Sequence, residues 1–425
     1  MAIGILAATG TVSAEKLGRY LIIGELSLDG SLQPIKGALP IAIAARQQEF
    51  DGFILPKQNA REAAVVNNLN VYGVENITEV IEFFNGTRNL TPTIVNTREE
   101  FYNSQTSFPF DFADVKGQEN VKRALEVAAA GGHNLIMVGA PGSGKSMMAK
   151  CLPSILPPLS LSESLETTKI HSVAGKLGRD SSLIAVRPFR SPHHSISGSA
   201  LLGGGSTPRP GEVTLAHNGV LFLDELPEFE RATLEMLRQP LEDGEVSISR
   251  VRAAMTFPSK FILCAAQNPC PCGFLGDSVH RCSCKQSEID SYRRKISGPL
   301  MDRIDMQINL SRVEFSELKT KEKGESSAAI RERVVKARLL QQERLEALGM
   351  HCNAQMGRSE VVKYCQLDAA AQNVMERYFN MLNLSARSHD RILKVARTIA
   401  DLAGSENIEA VHLAEAIQLR TSVRP

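Results

Sequence analysis

The chain has no excess of either charge: 48 lysines and arginines face 47 acidic residues, for a formal net charge of +1. That balance excludes a whole-molecule drive toward nucleic acid or an anionic membrane, so any polyanion must be bound by local patches. No stretch approaches the roughly 20 apolar residues needed to span a bilayer, and the opening MAIGILAATG lacks the basic n-region of a secretory signal. A soluble, cytoplasmic protein with no membrane partner is expected. What is present is 43% hydrophobic residues over 425 positions, enough for two or three ordinary domain cores. Four of the eight cysteines crowd into residues 270–284. In a reducing compartment such crowding points to metal rather than disulfides.

The chain is organised around residues 139–146, GAPGSGKS, which fit the phosphate-binding pattern G-x-x-x-x-G-K-[ST]. Gly139, Gly142 and Gly144 let backbone N–H groups turn inward on phosphates, with Pro141 and Ser143 completing the loop. Lys145 supplies a point charge, and the Ser146 hydroxyl is a Mg²⁺ ligand. The apolar run 134–138 reads as a buried strand entering the loop, and the residues from Ser146 onward as a helix aimed at the anion. ATP and Mg²⁺ are the implied ligands.

The strand at 219–223 ends in Asp224 and Glu225, where Asp224 can hold the Mg²⁺ hydration shell and Glu225 can orient and deprotonate water. A further strand at 261–266 delivers Asn268, a polar sensor between water and γ-phosphate. Residues 171–218 form a long insertion carrying Arg187, Phe189, Arg190, His193 and His194, charge combined with a stackable ring as in single-stranded nucleic acid sites. Local capping or hydrogen bonding by the two histidines is the alternative. A hairpin around 245–253 places Arg250 and Arg252 on one face, either for DNA or as a solvated surface.

Cys270, Cys272, Cys282 and Cys284 give C-x-C-x₉-C-x-C, which reads either as a tetrahedral zinc site or as free thiols. Arg303, in GPLMDRID, reads as an arginine finger for a neighbouring subunit's γ-phosphate or as half of a surface Asp–Arg pair. From about residue 327 the pattern turns helical, with helices at 328–347, 367–383, 386–403 and 408–419. Arg387, opening the third, is placed to fold over the nucleotide, or is simply a helix-start arginine. The domain reading is 1–88 as a small α/β unit with an Asp29-Gly30 hairpin, 89–108 as a linker, 109–325 as an ATPase core and 326–425 as a helical lid. The first residues read as a core helix without a preceding cap, so the chain is expected to begin inside a domain.

Taken together, GAPGSGKS, FRSPHH, the run LLGGGSTPRPGEVTLAHNGVLFLDELPEF, AAQNPCPCG, GPLMDRID and SARSHDRILKVARTIADL resemble the AAA+ ATPases of the magnesium-chelatase-like family, most closely its competence-related ComM branch. The resemblance implies an α/β fold: a three-layer αβα P-loop core with a C-terminal helical lid, preceded by a partial Lon-protease-like domain. It implies Lys145 and Ser146 as Walker A, Asp224 and Glu225 as Walker B, Asn268 as sensor 1, Arg303 as arginine finger and Arg387 as sensor 2. It further implies a homohexameric ring with ATP sites between subunits, the insertion and hairpin lining the pore, and branch migration on single-stranded or branched DNA. PIKGAL at 34–39 only loosely matches the Lon lysine segment, with Leu39 where the lysine would fall, so proteolysis is not expected. A magnesium-chelatase motor acting on a partner protein is the runner-up. A nucleotide-dependent scaffold is the third reading, and Glu225 argues against it.

Overall fold

A computed structural model describes residues 1–178, 181–205, 208–250, 253–277, 279–312, 324–382 and 384–421. The chain divides into two compact units, residues 1–107 with 159–186, and residues 108–158 with 187–425.

In the first unit, three parallel strands, β1 (Tyr20–Ile22), β2 (Gly52–Pro56) and β3 (Asn70–Val74), pair in the order β1, β2, β3. Every residue of β2 is buried, as a central parallel strand requires. The helix α1 (Ala38–Gln47) turns Ala38, Leu39, Ala42 and Ala45 inward, and buried Glu62 accepts the Leu39 N–H at 2.9 Å, satisfying a helix-start donor. The Asp29-Gly30 turn forms as expected, with Ser31 N donating to Asp29 Oδ1 at 3.0 Å, but its arms are only Glu25–Leu26 and Leu32–Gln33. The stretch read as a linker contains a helix, Thr97–Ser104. Asn96 caps it and Phe101 is buried, two signals that the surrounding polar composition hides. The segment read as one insertion, 171–218, is shared between the units, because the helix Leu161–Ala174 belongs with the first.

The second unit is built on a five-stranded parallel sheet. Its strands are β4 (Leu135–Gly139), β5 (Phe189–Arg190), β6 (Val220–Leu223), β9 (Ile262–Gln267) and β10 (Met306–Leu310), while β7 (Glu245–Arg250) and β8 (Ala253–Pro258) form a separate hairpin. The spatial order is β10, β4, β9, β6, β5. Alternate residues feed two hydrophobic clusters on opposite faces: Leu135, Met137, Val220, Phe222 and Cys264 on one, Ile136, Leu221, Leu223, Leu263 and Ala265 on the other. Burial on both sides is why these strands read as continuous apolar runs rather than alternating ones. The result is a three-layer α/β core.

The first of those faces is covered by α2 (Glu119–Gly131), α3 (Lys145–Ile155) and the C-terminal helices α4 (Ser327–Leu345), α5 (Ala369–Leu382), α6 (Ala386–Ala403) and α7 (Ala410–Thr421). The four C-terminal helices fall within a few residues of the spans expected from apolar periodicity. They share one continuous cluster with the sheet. A buried polar chain also joins them: His133 Nε2 lies 2.8 Å from Thr398 Oγ1, Asn353 Nδ2 donates to Thr398 Oγ1 at 3.0 Å and to Asp401 Oδ2 at 2.8 Å, and Asp401 pairs with Arg344 at 2.6 Å and Arg397 at 3.0 Å. No helix among the described residues is long and apolar enough to cross a membrane.

Candidate functional site

In parallel sheets ligands bind beyond the carboxyl ends of the strands. Here β4 runs straight into the phosphate loop, and Gly142 and Gly144 adopt φ values of 78° and 92° that other residues rarely reach. Those conformations turn the loop so that α3 begins at Lys145 with its unpaired N–H groups toward the bend. Ser143 Oγ is buried with no hydrogen-bond partner, an orphan polar atom inside the loop. Lys145 Nζ is 8% exposed as a residue and donates to Gly139 O at 2.6 Å, Ala140 O at 3.0 Å and Asn268 Oδ1 at 3.2 Å. Burial pulls its pKa down, and the charges of Asp224 and Glu225 resist that shift.

Asp224 and Glu225 follow β6 directly, two strands from β4 across β9. Ser146 Oγ donates to Asp224 Oδ2 at 2.7 Å, so the two oxygens expected to serve one divalent cation already meet. Glu225 has φ 51° and ψ 47°, a left-handed backbone that costs a non-glycine residue about 1–2 kcal/mol. Asp224 Oδ1 accepts the Glu225 N–H at 2.9 Å, which helps hold that turn. The structure therefore brings together the phosphate loop, Asp224, Glu225 and Asn268. This donor set fits a magnesium nucleotide: N–H groups and a lysine for phosphate, a hydroxyl and carboxylate for the cation.

Arg303 and Arg387 sit elsewhere. Arg303 donates to Arg238 O at 3.1 Å and Pro299 O at 2.9 Å and forms a close ion pair with Glu242. Arg303, Arg387 and Arg238 all hold the Glu242 carboxyl below its usual range, with the Arg303 hydrogen bond the largest cause. The charge of Arg387 thus acts on the same carboxylate that Arg303 binds.

The residues read as nucleic-acid contacts are engaged internally. Arg187 donates to Pro157 O at 2.6 Å and Asn218 O at 2.8 Å, Phe189 stacks on Phe222 at 5.9 Å, and Arg190 binds Glu212 bidentately at 2.6 and 2.8 Å. Composition showed the charge and the ring but could not show which carbonyls and carboxylates would meet them. Arg252 lies outside the described residues, and Arg250 closes the β7 ladder opposite Ala253. His193 hydrogen-bonds locally, its Nδ1 lying 2.8 Å from Ser195 Oγ. Sequence reading missed Glu242, and it singled out His194 without its partner: His194 Nδ1 stands 3.4 Å from Glu225 Oε2. FRSPHH was the available signal for the second; nothing in sequence marked the first.

The four clustered cysteines converge, with all sulfurs within 4.8 Å of one another. Cys270 and Cys272 are 3.4 Å apart, Cys270 and Cys282 3.7 Å, and Cys272 and Cys282 3.6 Å. Sulfurs bound tetrahedrally at about 2.3 Å to zinc lie about 3.8 Å apart, so the donor set fits. Hydrogen bonds from the Phe274 and Ser283 backbone bring the Cys272 thiol down to about 6, the thiolate a metal needs. His280 is not part of the set; its ring packs edge-on to Phe274 at 4.9 Å. Gly273, with φ 86°, lies against the phosphate loop: a Cβ there would stand 2.6 Å from Pro141 Cδ.

A phosphate loop and an acidic strand end on a doubly covered parallel sheet define a P-loop nucleotide-binding protein with an AAA+ core. Comparison with known proteins narrows the class. Residues 111–318 match the family described as Magnesium chelatase, subunit ChlI, residues 324–420 its C-terminal family, and residues 1–59 the family Subunit ChlI of Mg-chelatase. The chain is 42% identical to Competence protein ComM of Haemophilus influenzae over 426 residues, covering 100% of this chain and 82% of the relative. It is 41% identical to the uncharacterized protein YifB of Escherichia coli over 99% of this chain and 81% of that one. Similarity to the Magnesium-chelatase 38 kDa subunit of Cereibacter sphaeroides is 24% over 38% of this chain and 53% of that one. The chain belongs to the magnesium-chelatase-like AAA+ family, in the branch that includes ComM and YifB.

Proposed function

We propose that this chain is the ATP-hydrolysing subunit of a homohexameric ring that acts on single-stranded or branched DNA, in the manner of a branch-migration motor serving transformation and recombination. The observation that carries the reading is the convergence of Lys145, Ser146, Asp224, Glu225 and Asn268 at the carboxyl edge of one sheet, in a chain similar over its whole length to a competence protein.

In this mechanism the N–H groups of residues 142–146 and the Lys145 ammonium hold the phosphates, with Lys145 exchanging its loop carbonyls for phosphate oxygen. Ser146 and Asp224 would hold Mg²⁺, which would supply positive charge against the phosphates. Glu225 takes the proton of the attacking water, and Asn268 orients that water against the terminal phosphate. Arg303, which pairs with Glu242, and Arg387, whose charge acts on the same acid, serve the site of the adjacent subunit, where a guanidinium offsets charge that develops in the transition state. Contact with the DNA strand falls to the β7–β8 hairpin, whose first strand ends at Arg250, and to Arg252. The cysteine cluster holds one structural zinc.

ATP turnover measured with and without single-stranded and branched DNA, with oligomeric state recorded under the same conditions, tests the reading. DNA-stimulated turnover by a hexamer is expected. Turnover indifferent to DNA in an intact ring would move the assignment to a chelatase-type motor working on a partner protein, the reading favoured by the family descriptions.

A further inference from the structure

Glu225 is poorly restrained by its own element. Its side chain is 56% exposed, and it stands just past the end of β6 on a left-handed backbone. A glutamate with free rotamers must be ordered before it can act on a water at one defined place. Among the described residues, its ion-pair partner is His194. His194 Nδ1 lies 3.4 Å from Glu225 Oε2, and topology explains why: β5 and β6 are adjacent and parallel, so the loop leaving β5 at Arg190 passes the residues that follow β6.

The imidazole is itself held on two sides. It lies against His193 with ring centres 4.0 Å apart and planes tilted by 34°, and it meets the buried Phe229 ring edge-on at 6.4 Å. His193 is fixed in turn, since its Nδ1 accepts the Ser195 N–H at 3.3 Å, which assigns its proton to Nε2. At His194 it is Nδ1 that faces the carboxylate, at ion-pair distance from Oε2, so a proton carried there would lie toward Glu225. The start of the loop is anchored by the bidentate pair of Arg190 with Glu212.

We infer that His194 is a positioning residue for ATP hydrolysis, holding the Glu225 carboxylate in its working orientation through the Nδ1 edge of its ring. The inference rests on the reading of Glu225 as the base. It also gives the FRSPHH segment a task other than binding a polyanion: it connects the edge strand to the hydrolytic carboxylate.

The test is steady-state turnover and separate nucleotide-binding measurements on His194→Ala, His194→Asn and His194→Gln, with hexamer content checked for each. The alanine variant is expected to lower kcat about tenfold with nucleotide Kd unchanged. Asparagine, whose amide nitrogen can occupy the Nδ1 position, restores turnover; glutamine, whose amide reaches toward the Nε2 position, does not. In a Glu225→Gln background, His194→Ala has no further effect, as expected of two residues acting as a unit. An alanine variant within twofold of the parent kcat, a parallel change in nucleotide Kd, or equal behaviour of the two amides overturns the inference while leaving the hydrolysis reading in place. If the alanine variant fails to fold, the two amides still decide the matter against each other. Absence of turnover in the unmodified hexamer, with or without DNA, overturns both.

Discussion

Lys145 and Glu225 occupy one site but do different work, and substitution separates them. Lys145→Ala removes a charged donor from phosphate and is expected to weaken nucleotide binding about 10- to 100-fold, read by equilibrium titration. Glu225→Gln keeps the shape and removes the base, so turnover should fall about 10²- to 10⁴-fold with binding intact. Asp305 shows charge used for stability instead. Burial alone would raise its carboxyl, but the His133 imidazole at 3.5 Å and the Arg391 guanidinium at 2.9 Å outweigh burial and hold it well below the usual range. A carboxyl lowered in the folded state stabilises above its unfolded value of about 3.9, and that stability disappears as pH falls through the folded value. Asp305→Asn is therefore expected to cost about 3 kcal/mol or more at neutral pH, and the deficit to shrink on acidification, measured by denaturant unfolding across pH.

At the scale of elements, the cysteine loop and the phosphate loop are neighbours. Metal analysis is expected to find one zinc per chain, lost from Cys282→Ser with Cys284→Ser. Gly273→Ala forces a side chain against Pro141 and onto a left-handed backbone; it should weaken nucleotide binding while the metal stays bound, read by titration beside metal analysis. How much was legible follows from distance along the chain. GAPGSGKS, the β6 strand with its acidic end and the C-terminal helices are local patterns, and each formed where expected. Glu242 and Arg303 are 61 positions apart, and Arg187 is bonded to carbonyls 30 and 31 positions away, pairings that no local pattern encodes. Phe101 makes the same point for packing, since a single apolar residue in a polar stretch gave no periodicity to read.

For the whole molecule, the proposed ring makes two defects complementary. Arg303→Ala should lack hydrolysis through loss of a residue given to the neighbour, and Lys145→Ala through loss of its own site. Mixed rings of the two are expected to regain activity that neither shows alone, whereas rings in which each chain serves only itself would regain none. The C-terminal helices α4 to α7 share one hydrophobic cluster and the chain of polar contacts from His133 to Asp401 with the sheet. Melting should expose this: in a calorimeter the sheet and these helices should give up their structure in one cooperative step, with the unit formed by residues 1–107 and 159–186 accounting for any second transition. A body that melts in one step would carry a displacement imposed at α7, which packs on β10, through to the sheet that bears the nucleotide loops.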